Sequence, residues 1–364
     1  MNISRKSLDI VKNSMSKYVI NTPVLKNKEV NLICDSEVFF KCENFQKSGS
    51  FKFRAATNAI LNLNETDRKS GVITHSSGNF AQALALASKN QNITSHIIMP
   101  KNAPNFKKNA VLKTTDNLIE CKSTLVDREK TTNSVQAKYN LSFIHPSNDL
   151  DVILGNSTVV SELIQDISEL DYILCPVGGG GLLAGSALSC NAYSNKCEVI
   201  GVEPLNVNDA YRSLKSKKIE YNLKTDTIAD GLRTNLGNIN FPIILDYIKS
   251  IICVNEDEII NVIEEANKFS GGIDIFCSNA GIGGVPGFFE AEVEDWQKIW
   301  EINVQSHIHA AKHVLPQMLE RGDGYLVNKS SAAGNSLQSS LAIPTVCAPC
   351  PGNKKAILVN ASPR

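Results

Sequence analysis

The chain has 364 residues, of which 42% are hydrophobic and 20% are charged, and 37 basic and 37 acidic side chains give a formal net charge of +0. This composition is typical of a soluble globular protein of two or three domains, and it excludes a disordered or collagen-like chain. The balanced charge argues against nucleic-acid binding, and no apolar run reaches the roughly 20 residues of a membrane-spanning helix.

Predicted strands and helices alternate from residue 1 to about residue 268. The N-terminal segment lacks the apolar core of a secretory signal, so the 10 scattered cysteines are interpreted as reduced thiols of a cytoplasmic protein. The predicted strands are 37–43, 71–77, 94–100, 171–177 and 197–204, and the predicted helices are 50–63, 79–90, 104–113, 182–192 and 256–268. This alternation predicts an α/β fold with a mostly parallel sheet.

Two of these elements carry a further signal. Segment 171–177, DYILCPV, is almost continuously apolar, which predicts a buried strand. Asn255 precedes the helix 256–268, and Glu258 stands three residues further along, which is the spacing of a capping box. Both side chains are therefore predicted to bond the backbone where that helix begins.

The character of the sequence changes after about residue 268, where glycine and alanine become frequent and both tryptophans, Trp296 and Trp300, occur. This change predicts a join between two unlike segments. The tail 335–364 carries four prolines and little periodicity, so it is predicted to be irregular. Cys347 and Cys350 form a C-A-P-C that would be a redox pair, but no thioredoxin-like strand–helix unit surrounds it.

A lysine follows the first predicted strand, in the segment SGSFKFR. Lys52 stands between Phe51 and Phe53, and burial of this strand–helix junction would disfavour its ammonium form and lower its pKa. A neutral amine is what a lysine needs to form a Schiff base. The alternative is an ordinary exposed lysine at the start of a helix.

Small polar residues fill the next junction between a strand and a helix, HSSGNF. Backbone amides at the start of a helix bind anions, carboxylates included. The side chains of Ser76, Ser77 and Asn79 would add neutral hydrogen-bond donors. The alternative is a Ser or Asn helix cap, which is a common feature of helix starts.

Four consecutive glycines, Gly178 to Gly181, separate an apolar strand from an apolar helix. Glycines let the backbone wrap closely round a tetrahedral anion, and the helix that follows points its positive end at the same place. The pattern predicts a phosphate cradle without the lysine of a P-loop. A flexible linker is the alternative, which the apolar flanking elements disfavour.

Taken together, the three motifs resemble the fold-type II pyridoxal-phosphate (PLP) enzymes, in particular the serine racemase and serine/threonine dehydratase family. The resemblance covers about residues 5–267 and includes ENFQKSGSFKFRAA, THSSGNFAQALALA, PVGGGGLLAG, GVEP and TIADGLRTNLG. It implies a two-domain, tryptophan-synthase-β-like α/β fold. Residues 1–70 and 149–268 would form the large domain, incomplete at its C-terminal end, and 71–148 the small domain.

The resemblance also implies roles for individual residues. Lys52 would form the Schiff base with PLP and take the α-proton of the substrate, and Ser77 would be the acid/base on the opposite face. The other cofactor contacts would be Phe51 on the pyridine ring, Asn79 on the 3-hydroxyl, and Gly178, Gly179, Gly180 and Gly181 on the phosphate. The substrate would lie against Ser76, Ser77 and Gly78.

A divalent-metal site belongs to the racemase branch of this family. The resemblance places it at Glu203, the Val207 carbonyl and Asp209, with Mg²⁺ or Ca²⁺ as the ion. Without the resemblance, the two acids would be interpreted as solvated surface charges. The implied activity is racemisation or β-elimination of serine or threonine, or both, on a small amino-acid substrate, and the implied assembly is a homodimer.

Three features depart from the family pattern. Phe80 stands where the family usually has a histidine near the substrate carboxylate. Segment 113–116, KTTD, replaces a glycine-rich turn. No EPSGA-like segment and no SGGN-like loop, whose Ser or Cys bonds the pyridine nitrogen, follows residue 268. The cofactor site is therefore predicted to lack one wall. The sheet of the large domain is predicted to lack the elements that would come last in the chain.

Residues 269–334 resemble a different family, the short-chain dehydrogenases/reductases. Segment 278–281, SNAG, is similar to their NNAG motif, and Asn303 matches their catalytic asparagine. Segment 325–331, YLVNKSS, is similar to the strand that ends in their catalytic serine, which would be Ser331. The resemblance implies a partial Rossmann-like α/β segment.

This dehydrogenase-like segment lacks the parts that bind and use NAD(P). No GxxxGxG loop precedes it, and the expected tyrosine and lysine positions hold Pro344 and Ala348. His309 and His313 are four residues apart but have no third zinc ligand near them. The leading hypothesis is a PLP-dependent racemase or dehydratase; the alternatives are an inactive chimera and an NAD(P)-dependent oxidoreductase.

Overall fold

The computed structural model describes residues 3–259, except 77, 168, 195 and 228, together with the strands Ile275–Ser278 and Tyr325–Asn328. The chain divides into two compact units. One consists of Met1–Lys26, Phe39–Lys101 and Lys107–Ile259, and the other of Asn27–Val38, Asn102–Phe106 and Ile260–Arg364.

Helices and strands alternate through the described residues, as the sequence predicts. The helices are α1 (Arg5–Met15), α2 (Lys28–Cys34), α3 (Lys52–Leu61), α4 (Glu65–Ser70), α5 (Asn79–Asn90), α6 (Asn105–Leu112), α7 (Leu125–Tyr139), α8 (Leu150–Asp166), α9 (Gly181–Tyr193), α10 (Asp209–Ser216) and α11 (Asn240–Tyr247). The strands are β1 (Val24–Lys26), β2 (Phe39–Lys41), β3 (Val72–His75), β4 (Ser95–Pro100), β5 (Leu118–Cys121), β6 (Ser142–Phe143), β7 (Tyr172–Pro176), β8 (Glu198–Pro204), β9 (Ile251–Val254), β10 (Ile275–Ser278) and β11 (Tyr325–Asn328).

A parallel four-stranded sheet has the strand order β5-β4-β3-β6. All residues of β4 are buried, as expected for an inner strand of a parallel sheet covered by helices. Helices α5 and α7 pack against β3 and β4. Helix α5 has the bounds that the sequence predicts, because its run of alanine and leucine favours a helix and it packs against both the sheet and α3.

A second parallel sheet has the order β7-β8-β9. Its core also contains α8 and α9, which approach each other closely at glycines. A Cβ on Gly185 of α9 would come within 2.6 Å of the Ile153 carbonyl of α8, and one on Gly155 of α8 within 2.5 Å of the Arg54 carbonyl of α3. These contacts hold α3 directly on α8. Lys52, the first residue of α3, is positioned by this packing.

The prediction of a buried strand over 171–177 is wrong for alternate residues. Ile173 and Cys175 are buried, but Tyr172 is 62% and Leu174 is 65% exposed. Ile252 of β9 is 48% exposed as well. The reason is that successive side chains of a strand point to opposite faces, and among the described residues only one face of this sheet is packed on the core.

The capping box at residue 255 is confirmed. The Glu258 amide donates to the Asn255 side chain at 2.8 Å, and the Asn255 amide donates to the Glu258 carboxylate at 2.7 Å. Further along the chain, β10 and β11 pair in parallel, with Ser278 opposite Asn328. The remaining predictions for this part, at Trp296, Trp300, Asn303, His309, His313, Ser331, Pro344, Cys347, Ala348 and Cys350, lie outside the described residues.

The predicted domain boundaries at residues 70/71 and 148/149 stay a prediction. Strands β3 to β6 all lie within the predicted small domain, and β7 to β9 within the predicted large domain. Among the residues that the structure describes, no helix is long and apolar enough to cross a membrane.

Candidate active site

Lys52 is the first residue of α3 and points its amine into the protein. Its Nζ donates a hydrogen bond of 2.9 Å to the carbonyl of Pro146, which is 94 residues away in the chain. Burial lowers the pKa of Lys52 from its usual 10.5 to about 8, because an ammonium is poorly solvated there. The side chain is therefore unlike an exposed lysine at a helix start, and its amine is prepared to act as a nucleophile.

The aromatic rings around this amine are only partly those expected from the sequence. The Phe51 ring lies 5.0 Å from Lys52 Nζ, and the buried Phe80 ring lies 5.8 Å away. Phe53 is instead near Lys47, with 6.0 Å between the ring and the Lys47 amine. Successive side chains on a helix point about 100° apart, so Phe51 and Phe53 lie on opposite sides of Lys52, and its chain extends toward Phe51.

The four glycines form a tight loop at the start of α9. Gly180 has a φ of +75°, which favours glycine, and a Cβ there would come within 2.5 Å of the Leu236 side chain. A Cβ on Gly179 would lie 2.4 Å from the Ser147 hydroxyl oxygen. Asn240 holds the loop from behind, since its amide group donates to the Gly179 carbonyl at 2.8 Å. This packing excludes a flexible linker.

The Gly179→Ala variant should bind phosphate-bearing ligands more weakly and lose about 1–3 kcal/mol of stability, because its methyl group overlaps Ser147. The matched control is Gly231→Ala, since a Cβ at Gly231 meets no atom within 4 Å. Titration with PLP, followed by absorbance, and urea denaturation measure the two effects. Equal PLP affinity in both variants would contradict a phosphate role for the loop.

The second motif lies where β3 runs into α5. Gly78 is the N-cap of α5, and among the described residues no side chain caps this helix, so Ser76 and Asn79 do not act as its cap. The Gly78 amide bonds the Ser76 hydroxyl at 3.4 Å, and Asn79 begins the helix. Ser77 lies outside the described residues. The Ser76 and Gly78 amides are already bonded, so the first amides of α5, at Asn79 and Phe80, are those that could bind an anionic group.

Two residues of the site belong to none of the motifs identified in the sequence. His145 follows β6, and its Nδ1 accepts hydrogen bonds from the backbone amides of Ser147 and Asn148. Asn156 of α8 is fully buried, and neither polar atom of its side chain has a partner among the described residues. Its Nδ2 would lie 3.3 Å from a Cβ on Gly181. A buried orphan amide beside the glycine loop fits a polar ligand.

The two predicted metal ligands with carboxylates are buried rather than solvated. Glu203 accepts from the amides of Ala210 and Tyr211 at 3.0 and 2.9 Å, and burial, aided by the nearby Asp209 charge, raises its pKa to about 8. Asp209 accepts from the Leu236 amide at 2.8 Å, and burial raises its pKa to about 6. Within the described residues, no group of three or more His, Cys, Asp or Glu side chains is placed to hold a metal ion.

The sequence and the structure of this chain are similar to those of known proteins. The family described as pyridoxal-phosphate dependent enzyme matches residues 15–275. This chain belongs to that family. It is 41% identical to a serine racemase of Dictyostelium discoideum over 259 residues, which are 71% of this chain and 80% of that protein. It is 39% identical to the L-threo-3-hydroxyaspartate ammonia-lyase of Saccharomyces cerevisiae over 249 residues, 68% of this chain and 76% of that enzyme.

The structure of maize serine racemase supports the same assignment. It matches with a TM-score of 0.71 and 34% identity, covering 74% of this chain and 82% of that chain. The predicted fold-type II PLP-enzyme fold and PLP as the cofactor are thereby confirmed. A short chain dehydrogenase family matches residues 248–343, which confirms the second resemblance. The two matches overlap over 248–275, a range that contains the predicted join near residue 268.

Proposed function

We propose that this chain uses PLP to racemise serine, to eliminate the β-hydroxyl of serine or threonine, or to do both, through Lys52. The observation that carries the proposal is the Lys52 amine, which is desolvated and bonded to Pro146. The relatives support it from two sides, because one is named a serine racemase and another an ammonia-lyase of a 3-hydroxy amino acid.

The described residues fit PLP. A side chain at any of the four glycines of the loop would collide with neighbouring atoms, so the backbone itself faces the site. The positive end of α9 favours a phosphate there. Asn156 presents an unpartnered buried amide beside it. In this proposal Gly178, Gly179, Gly180 and Gly181 hold the phosphate, Phe51 lies against the pyridine ring, and Asn79 bonds the 3-hydroxyl. Bound PLP would supply an acceptor for the electrons left at the substrate α-carbon.

The chain's own groups then move protons and hold the substrate. The junction of Ser76, Ser77 and Gly78 binds the substrate carboxylate with amides and hydroxyls, and the Lys52 amine takes the α-proton. Return of a proton from Ser77 on the opposite face inverts the centre. Loss of the β-hydroxyl instead gives, after hydrolysis, a keto acid and ammonia. The Phe80 ring keeps water from the Lys52 amine.

The deciding experiment is turnover by the purified full chain supplied with PLP. We expect D-serine by chiral chromatography, or pyruvate and ammonia by coupled assay, together with a visible absorbance band from the bound cofactor. Lys52→Ala should abolish both. Absence of the band in the wild-type chain, or an unchanged band in Lys52→Ala, would overturn the assignment.

A second candidate is a catalytically inactive chimera that binds PLP without turning over an amino acid. The dehydrogenase match over 248–343 favours it, because this match begins within the residues that the PLP-dependent family covers. A cofactor band with no turnover of serine or threonine would select this candidate. NADH or NADPH binding would instead favour the oxidoreductase, for which the described residues offer no further support.

We further propose that Glu203, the Val207 carbonyl and Asp209 bind Mg²⁺ or Ca²⁺. Glu203 and Asp209 are both buried and the Asp209 charge acts on Glu203, so a cation beyond the nearby Arg212 would stabilise them, and hard oxygen ligands suit these ions. Each carboxylate oxygen that accepts an amide hydrogen bond keeps a second lone pair for a metal. The competing role for Glu203 is to cap α10, because its carboxylate accepts hydrogen bonds from the Ala210 and Tyr211 amides at the start of that helix.

Mg²⁺ or Ca²⁺ should raise the unfolding temperature of the wild-type chain, and a chelator should lower it. At about 100 times Kd the ion would stabilise the folded state by about 2.7 kcal/mol. Glu203→Gln should remove this response, while Asp226→Asn, at an exposed carboxylate, should keep it. An equal response in Glu203→Gln would leave Glu203 with only its helix-capping role.

The homodimer and the cytoplasmic location also stay predictions. Size-exclusion chromatography with light scattering tests the first, and fractionation of the source cells tests the second. Filter binding tests the predicted absence of nucleic-acid affinity.

A further inference from the structure

A tight turn after β6 begins at His145 and ends at Asn148. The His145 Nδ1 accepts hydrogen bonds from the Ser147 amide at 3.1 Å and from the Asn148 amide at 2.8 Å. A nitrogen that accepts from two amides carries no proton, so the proton of the neutral imidazole is on Nε2. One side-chain atom therefore holds both amides of this turn.

Each later residue of the turn contacts a different part of the site. The Pro146 carbonyl accepts the hydrogen bond of Lys52 Nζ. Ser147 lies against Gly179 and Gly181, leaving no room for a Cβ on either. The turn thus joins the amine to the glycine loop, although these parts come from distant segments of the chain.

Asn148 anchors the turn on its other side. Its Oδ1 accepts from the Ile239 amide at 2.7 Å, and its side chain occupies the space beside Gly237, where a Cβ would come within 2.1 Å. Asn240, at the start of α11, donates to the Ser147 carbonyl at 3.2 Å and to the Gly179 carbonyl at 2.8 Å. A shift of the turn would therefore be transmitted to the glycine loop.

The surroundings of His145 disfavour its protonation. Burial, and then the charges of His75 and Lys52, lower the pKa of His145 to about 4. The His75 ring lies 6.0 Å from the His145 ring, and Arg128 and Glu129 of α7 act on His75. Asp149 accepts a hydrogen bond from the His145 backbone. The imidazole remains a neutral acceptor over the physiological pH range.

We propose that His145 is a positioning residue for the cofactor site, which holds the Pro146 carbonyl on the Lys52 amine and Ser147 against the glycine loop through its unprotonated Nδ1. This inference rests on the proposed function only in taking Lys52 and the glycine loop as parts of one PLP site. The role belongs to the acceptor atom and not to the size of the ring.

Two variants distinguish a role of the acceptor atom from a role of the size of the ring. His145→Asn keeps an acceptor oxygen close to the position of Nδ1, whereas His145→Gln places its amide one bond further out. We expect His145→Gln to bind PLP at least about 10-fold more weakly, equivalent to about 1.4 kcal/mol, and His145→Asn to stay within about 3-fold of the wild-type chain. Equal PLP affinity in wild-type and His145→Gln protein, or equal losses in both variants, would overturn the proposal.

A measurement on the apoprotein does not depend on PLP binding or turnover. Competitive acetylation of Lys52 against pH, read by mass spectrometry, reports the pKa of its amine. We expect the midpoint to shift in His145→Gln and to be unchanged in His145→Asn. This result stands even where the wild-type chain shows no turnover, so failure of the proposed function and failure of the His145 role are distinguishable.

Nitrogen NMR of the imidazoles keeps the proposal testable where His145→Gln does not fold. In the wild-type chain, the resonance that His145→Asn removes should be that of a neutral ring protonated on Nε2 near pH 7. A ring protonated on Nδ1 would overturn the proposal.

Discussion

Lys52→Met is expected to stabilise the apoprotein at pH 7 while removing its reaction with PLP. Keeping an ammonium in this buried position costs the wild-type chain about 3 kcal/mol, since the pKa falls from 10.5 to about 8. Loss of the hydrogen bond to Pro146 offsets about 1 kcal/mol of the gain. The free energy of unfolding, measured in urea, should therefore rise by about 2 kcal/mol, whereas activity should fall by at least about 10²-fold.

The pH dependence of this gain has a definite sign. The folded-state pKa of Lys52 lies below the unfolded value, so below about pH 8 both states carry the proton and the full cost is present. Between about pH 8 and 10.5 the folded chain releases its proton first, and the wild-type chain gains stability relative to the variant. Above about pH 10.5 the cost of burying the charge is gone.

Lys47→Met is the matched control for Lys52→Met. Lys47 is exposed and only five positions away, so its replacement should change stability by no more than about 0.5 kcal/mol at any pH. A Lys52→Met variant that is destabilised at pH 7, or whose difference from the wild-type chain does not change up to pH 10.5, would contradict burial of the amine.

Arg54→Met is expected to cost about 3–5 kcal/mol of stability, the largest loss that we predict for a single substitution. Arg54 is fully buried two residues after Lys52, and its guanidinium bonds Glu43 at 2.8 and 2.9 Å and Glu162 at 2.6 and 2.7 Å. Removing this cation leaves Glu43 without an ion-pair partner among the described residues and leaves Glu162 with Lys41 alone, whose Nζ lies 2.9 Å away. Urea denaturation of the apoprotein measures the loss.

A triple variant tests whether the charges cause this loss. Adding Glu43→Gln and Glu162→Gln to Arg54→Met should recover part of the stability, because neutral amides do not need a cation as partner. Arg5→Met, at an exposed arginine of α1, should change stability by no more than about 1 kcal/mol. No recovery in the triple variant would mean that packing, and not charge, makes Arg54 important.

The local features of this fold were predictable from the sequence because neighbouring residues determine them. The helix over 79–90 follows from its alanines and leucines, and the capping box of Asn255 and Glu258 follows from a spacing of three residues. Gly180 is also a local feature, since its φ of +75° favours glycine, whereas Gly179 and Gly181 are required by their contact with Ser147 from a distant segment. Similarity to a known family identifies PLP from these same motifs.

The burial of individual side chains depended on partners that the sequence does not reveal. Phe80, and not Phe53, joins Phe51 near the Lys52 amine, because the direction of each side chain is set by the helix that carries it. Tyr172 and Leu174 are exposed although their strand is apolar, because they point to the face of the sheet opposite Ile173 and Cys175, which pack in the core. An apolar run alone cannot distinguish a strand covered on one face from a strand covered on both.

The sequence by itself determined the family, the lysine and the cradle, since these depend on short motifs. Only the tertiary structure decided what surrounds them. Lys52 meets Pro146 across 94 positions, and His145 and Asn156 reach the same site from a turn and a helix without any motif of their own. Burial, hydrogen-bond acceptance and the resulting pKa values arise from contacts between distant segments, and such contacts exist only once the chain has folded.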